Sequence, residues 1–184
     1  MVEPGTTPHV ADTPDYIVLE RHRDLKGIRR RPWPRHAILA LIGVFSVLGL
    51  LNVFGQRPST STAGTAAARL QLYAPTHARG GLLFSARFRI TAEHGLENAV
   101  LVLDSGWVEG MSINTIEPSP LGQASTDGKL TLQLGHVRAG SAYVLWMQFQ
   151  VNPTNLAWHR PMSVTLLDGT TEIAHIDRSF TVFP

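Results

Sequence analysis

His175 and Asp177 stand two apart in a stretch of alternating polarity, so a strand would project both from one side, as two metal ligands would be. Two ligands do not make a site, and no third can be named beside them. The other histidines of this half, His77, His94, His136 and His159, form no His-x-x-x-His or His-Glu-x-x-His pattern. Ser105, in Asp104-Ser105-Gly106, is a turn serine outside any Gly-x-Ser-x-Gly elbow and without an assignable base. Glu93/Glu97 and Asp104/Glu109 flank turns, where carboxylates are ordinarily solvated. No glycine-rich phosphate loop is present. The chain has no cysteine, which removes disulfides, thiolate zinc sites, cysteine nucleophiles and an acylated N-terminal cysteine. The expectation is therefore no catalytic residue, no metal site and no cofactor.

Tryptophan is the more informative residue type. Trp158-His159-Arg160 falls in the connection between Asn152 and Pro161, and a loop Trp beside an Arg suits a hot spot for a protein or sugar partner. Those three are the candidate interaction residues. Trp146 lies on the opposite strand face from Leu145, and its expected place is in a second buried layer.

The elements that must hold these residues begin with a membrane segment. Residues 37–56, AILALIGVFSVLGLLNVFGQ, carry no charge, and twelve of the twenty are Leu, Ile, Val or Phe. Such a helix is about 30 Å long, the thickness of a bilayer core, and inserts with on the order of −5 kcal/mol. Residues 21–36 contain Arg21, Arg23, Lys26, Arg29, Arg30, Arg31 and Arg35, whereas the first twenty-odd residues after the span contain only Arg57, Arg69 and Arg79. Basic flanks stay in the cytoplasm, which puts the N-terminus inside and the C-terminal part outside. Trp33, Arg29, Arg30, Arg31 and Arg35 are the expected interface residues; Gly43, Ser46 and Gly49 offer a surface for close packing on another membrane helix. A cleaved signal peptide competes with this reading, since Ala66-Ala67-Ala68 resembles a cleavage site, but 36 residues before the span is long for one.

Residues 1–36 hold seven Lys/Arg and five Asp/Glu, and residues 57–184 hold nine of each sign, so the whole net charge of +2 sits in the tail. A nucleic-acid binder would carry its charge on the folded part, and none is expected as a partner. Residues 1–36 read as a largely disordered tail with a basic juxtamembrane end, in which 15–20, DYIVLE, is a short apolar patch. Residues 57–68 are mostly Ser, Thr, Ala and Gly and read as a flexible linker.

From residue 69 to 184 the apolar period becomes two. Leu82, Phe84, Ala86, Phe88 and Ile90 alternate with polar residues; so do Ala99, Leu101 and Leu103, then Leu130, Leu132 and Leu134, then Tyr143, Leu145, Met147, Phe149 and Val151. Asp127-Gly128 and Asp168-Gly169 mark turns, the latter a strong hairpin signal before Ile176, Phe180 and Val182. Seven or eight strands without a helix predict an all-β fold, an antiparallel sandwich of two sheets, with a small barrel as the alternative.

Residues 81–151 also resemble the bacterial cell-surface immunoglobulin-like modules of the CARDB and conserved-repeat type. The resemblance rests on Phe84-x-Ala-x-Phe88-x-Ile90, on Ala99 through Gly106 followed by Gly110, and on Leu132-x-Leu-Gly135-x-Val137-x-Ala-Gly140-x-x-x-Val144. Those modules usually have a proline near the place of Trp107. The resemblance implies an Ig-like fold and a role as spacer, adhesion unit or assembly subunit, and carries over no catalytic residue. The expected function is a membrane-anchored extracytoplasmic interaction module, an accessory subunit whose partners are the lipid bilayer and another membrane or envelope protein. A binder of polysaccharide or peptidoglycan acting through Trp158 is the second reading. An enzyme, which needs a deep polar pocket, is the third.

Overall fold

The computed structural model describes residues 33–53 and 55–183. The expected disordered tail, with Arg29, Arg30 and Arg31, lies outside the described residues.

Helix α1 spans Trp33–Leu50 and none of its residues is buried. Pro34 sits in its first turn, where a missing N–H costs no hydrogen bond. Its end is set by Asn52, in the left-handed region at φ 53°. The Asn52 N–H reaches the Gly49 carbonyl at 3.0 Å and the Val53 N–H reaches Leu48 at 3.1 Å, which is a Schellman closure with Asn52 in the place usually held by glycine. Arg57 then donates to the Asn52 carbonyl at 3.1 Å and to the Leu51 carbonyl, satisfying acceptors that a helix end leaves free. The expected span of 37–56 is corrected accordingly: the helix starts four residues earlier and stops six earlier. Apolar character continues to Phe54, but the backbone turns at Asn52.

The β domain has thirteen strands among the described residues: β1 (Pro58–Gly64), β2 (Ala68–Pro75), β3 (His77–Arg79), β4 (Leu83–Ala92), β5 (Leu96–Leu103), β6 (Met111–Glu117), β7 (Gly122–Thr126), β8 (Lys129–Val137), β9 (Ala142–Val151), β10 (Ala157–Pro161), β11 (Val164–Asp168), β12 (Thr171–Ile176) and β13 (Ser179–Phe183). The first sheet runs β1-β2-β4-β9-β6, the second β12-β11-β5-β8-β7, and a small third sheet β10-β13-β3. Every pairing is antiparallel except β13 with β3. The all-β sandwich is as expected, with more strands than the seven or eight predicted. The additional ones include short pieces such as β1, β3, β7 and β10, which carry too few alternating apolar residues to announce themselves.

The alternation sets the core. Phe84, Ala86, Phe88, Ile90, Leu145, Met147, Phe149 and Val151 of the first sheet are buried in one cluster with Leu101, Leu103, Leu132, Val164, Leu166 and Ile176 of the second. Leu82, expected to face inward with that set, precedes β4 and is 47% exposed. Trp107 ends a 3-10 turn over Ser105–Trp107 and plugs this core, its ring 5.5 Å from Phe88 and 5.3 Å from Phe149. Gly106 beside it must be glycine, since a Cβ there would fall 1.9 Å from the Pro161 carbonyl oxygen.

The expected flexible linker is a strand. Pro58 to Gly64 pair with β2 in unbroken register, Pro58 opposite Pro75 and Gly64 opposite Arg69, so the domain starts near residue 58 and not at 69. An edge strand needs backbone donors and acceptors more than large side chains, and Ser, Thr and Ala supply them. Asp127 and Gly128, at φ 52° and 73°, form the two-residue loop joining β7 to β8. The β11–β12 hairpin closes one residue later than the Asp-Gly pair suggests, through Gly169-Thr170, with Asp168 opposite Thr171.

Candidate functional site

Strand β10 pairs with β13 through an irregularity between Ala157 and Arg160. His159 within it adopts φ 51°, a conformation that non-glycine residues rarely hold. Such bulges re-aim side chains, and here Trp158 is 74% exposed. Its indole meets His159 edge-on at 4.9 Å and Phe183 at 6.5 Å, while His77 from β3 stacks on Phe183 at 5.8 Å. The result is an aromatic strip across the small third sheet, with Leu156, 64% exposed, preceding it in the chain.

The structure therefore keeps Trp158 and His159 together and separates Arg160 from them in role. The Arg160 guanidinium donates to the Glu109 carbonyl and to Asn155 Oδ1 at 2.8 Å, and Asn155 Nδ2 donates to the Gly110 carbonyl at 2.9 Å. Arg160 ties the 152–155 turn to the loop before β6. His77 and Phe183 were missed in the sequence because only the parallel β13–β3 pairing brings them beside Trp158.

His175 and Asp177 do share a face. Asp177 Oδ1 accepts from His175 Nε2 at 3.0 Å and from Ser163 Oγ at 2.9 Å, while His175 Nδ1 lies 2.8 Å from Thr165 Oγ1. A neutral imidazole donates from Nε2 to the carboxylate and accepts at Nδ1 from the threonine hydroxyl, and a charged one donates from both nitrogens. The Ser163 hydrogen bond, then that of His175 and its charge, holds the Asp177 carboxyl below its ordinary value of 3.8. Hydroxyl, imidazole and carboxylate stand in the order that activates a nucleophile. They lie on an exposed strand surface, however, and none of the three hollows described below borders them. Among the described residues no three His, Asp or Glu side chains gather as a metal site would require.

Trp146, expected in a buried layer, is 47% exposed. The outer face of an antiparallel sheet can meet water, and here Arg87 covers part of the indole. On α1, Trp33 and Arg35 are exposed, and a Cβ at Gly43 or Gly49 would meet nothing within 4 Å. The Ser46 hydroxyl bonds back to the Ile42 carbonyl at 2.9 Å.

Several hollows open among the described residues. One, about 420 Å³, is lined by edge strands β6 and β7 with Ile113, Ile116 and Leu130. Two others, about 300 and 180 Å³, lie on the outer face of the first sheet.

No family model matches the chain, and no curated protein matches it. Among solved structures, the sporulation control protein Spo0M from Bacillus subtilis is 9% identical, with 64% of this chain matched to 50% of that one at a TM-score of 0.38. A non-cellulosomal cohesin from the hyperthermophilic archaeon Archaeoglobus fulgidus is 12% identical, with 68% matched to 92% at 0.39. Likeness at this level carries no argument about function.

Proposed function

We propose that the chain is a membrane-anchored extracytoplasmic Ig-like interaction module, an accessory subunit of a membrane or cell-envelope assembly, and not an enzyme. The observation that carries this reading is the strip of Trp158, His159, Phe183 and His77 on the third sheet, with its central indole turned out to solvent. Exposed aromatic clusters of this kind dominate binding energy at protein interfaces because they bury much area at little conformational cost. The hydroxyl–imidazole–carboxylate chain lies on an exposed surface and borders none of the three hollows described, which supports binding over chemistry.

A photo-cross-linking amino acid placed at position 158 of the full chain in native membranes tests the proposal. It should give a discrete adduct with another membrane or envelope protein, and the same probe at exposed Glu172 on the second sheet should not. Trp158→Ala should weaken recovery of that partner by roughly ten- to a hundredfold. A chain that stays monomeric and uncross-linked at position 158 would refute the reading.

A further inference from the structure

The outer face of the first sheet carries a row of four side chains from four neighbouring strands. Pairing sets Tyr73 opposite Arg87, Arg87 opposite Trp146, and Trp146 opposite Glu117. The guanidinium carbon of Arg87 lies 5.2 Å from the centroids of both the Tyr73 and the Trp146 rings. A cation shared between two ring faces holds both rings upright on the sheet. The next row is uncharged and polar, with Ser85 opposite Gln148 and Gln148 opposite Thr115.

Two hollows open over these rows. The smaller, about 180 Å³, is walled by Trp146 and Glu117 with Ser85, Thr115 and Gln148. The larger, about 300 Å³, has Tyr73 as its aromatic wall and Gln56 at its rim. They share Ser85 and Gln148, so they are consecutive along the face.

We infer that these hollows are adjacent subsites for two successive sugar rings of a neutral polysaccharide, one stacked on Trp146 and the next on Tyr73. A pyranose presents a patch of C–H groups on its face and a rim of hydroxyls, and each hollow offers the complement of both. The aromatic wall takes the C–H face. Around it stand an amide that both donates and accepts (Gln148), two hydroxyls (Ser85 and Thr115) and a carboxylate able to accept from two vicinal hydroxyls (Glu117). None of these four side chains has a side-chain hydrogen bond or ion pair with another described residue, so their bonding capacity faces the hollow unspent.

Charge narrows the class further. At the two hollows the lining holds one charged group, Glu117, and the neighbouring Arg87 is already engaged by two rings. Arg89 and Arg69 stand farther along the same face and line neither hollow, so the hollows themselves favour a neutral chain. An apolar protein surface pressed here would strand the amide and hydroxyls without partners. Because Arg87 fixes the indole before any ligand arrives, little ordering is left for binding to accomplish. This face is built from other strands than the Trp158 strip and stands or falls independently of it.

The test uses the full chain in detergent micelles titrated with cellohexaose and with chitohexaose, read by tryptophan fluorescence and calorimetry, with circular dichroism to verify folding. At least one hexasaccharide should bind saturably. Trp146→Ala and Gln148→Ala should each weaken that binding by about tenfold or more, and Trp158→Ala should leave it unchanged. Should Trp146→Ala fail to fold, Gln148→Ala decides, because it leaves the Tyr73–Arg87–Trp146 stack intact. The inference is overturned if neither hexasaccharide binds, if binding survives both substitutions on this face, or if Trp158→Ala abolishes it.

Discussion

At Asp177 two hydrogen bonds and a neighbouring imidazole act on one exposed carboxylate, all favouring its charged form. A carboxyl whose value is lowered on folding adds stability above its unfolded value, and that stability fades as pH falls through the folded one. The window is thus the acid side of 3.8. Melting temperatures of the wild type and Asp177→Asn should differ modestly at neutral pH, with the wild type higher, and converge as the medium is acidified below that value. A gap that stays constant with pH would show that the carboxylate's charge does not matter there. Spacing alone revealed that His175 and Asp177 share a face, because period two is a local property. It could not reveal Thr165 and Ser163, which reach the pair only through the register of β11 against β12 and the return of the chain toward β13. The same limit hid the Trp146 environment: its strand was legible, but Arg87 and Tyr73 arrive from β4 and β2, 59 and 73 residues away in the chain.

Among the elements, β1 is clipped to the domain by a side chain from far along the chain as well as by its pairing with β2. Arg178 donates from Nη2 to Ser59 Oγ at 2.8 Å and to the Ala74 carbonyl at 2.9 Å, and from Nη1 to the Ser59 carbonyl at 3.5 Å. Burial pulls its guanidinium below the ordinary arginine value, yet it stays charged at neutral pH. Hydrogen bonds to a charged donor are worth about 1.5–3 kcal/mol each in favourable cases, so Arg178→Ala should cost on the order of 2 kcal/mol. The effect should be concentrated at the sheet edge: amides of residues 59–64 should exchange about tenfold faster while those of β4 and β9 keep their protection relative to global unfolding. Unaltered exchange in β1 would mean that pairing with β2 suffices. A composition of Ser, Thr, Ala and Gly looked like a tether because apolar alternation was the only strand signal in use, and an edge strand clipped by a distant arginine has none. For α1 the missed signal was present, since asparagine is the commonest non-glycine residue in a left-handed helix stop. An unbroken apolar run concealed it.

For the whole molecule the decisive asymmetry is charge against hydropathy. Helix α1 is an 18-residue apolar segment of mean hydropathy 1.5, and none of its residues is buried. Ile38, Leu41, Phe45 and Val47 are more than half exposed, and apolar side chains of this kind are costly to leave in water. A bilayer core removes that penalty, and at about 27 Å the helix matches one with slight thinning or snorkelling at its ends. Every excess positive charge precedes the helix, whereas the β domain is balanced. With the helix as an anchor, the positive-inside rule would put the domain outside and the tail within, the topology proposed above. The absence of cysteine makes this directly measurable, because any introduced thiol is the only one. In intact cells a membrane-impermeant maleimide should label Ser119→Cys, an exposed position beyond β6, and should label Thr7→Cys only after permeabilisation. The chain should also stay with the membrane through carbonate extraction. Labelling in the reverse order would invert the topology, and release by carbonate or loss of the tail from the mature chain would replace the anchor with a cleaved leader. An inverted topology would move the partner sought at Trp158 to the cytoplasm, whereas a cleaved leader would leave that partner outside and remove only the anchor.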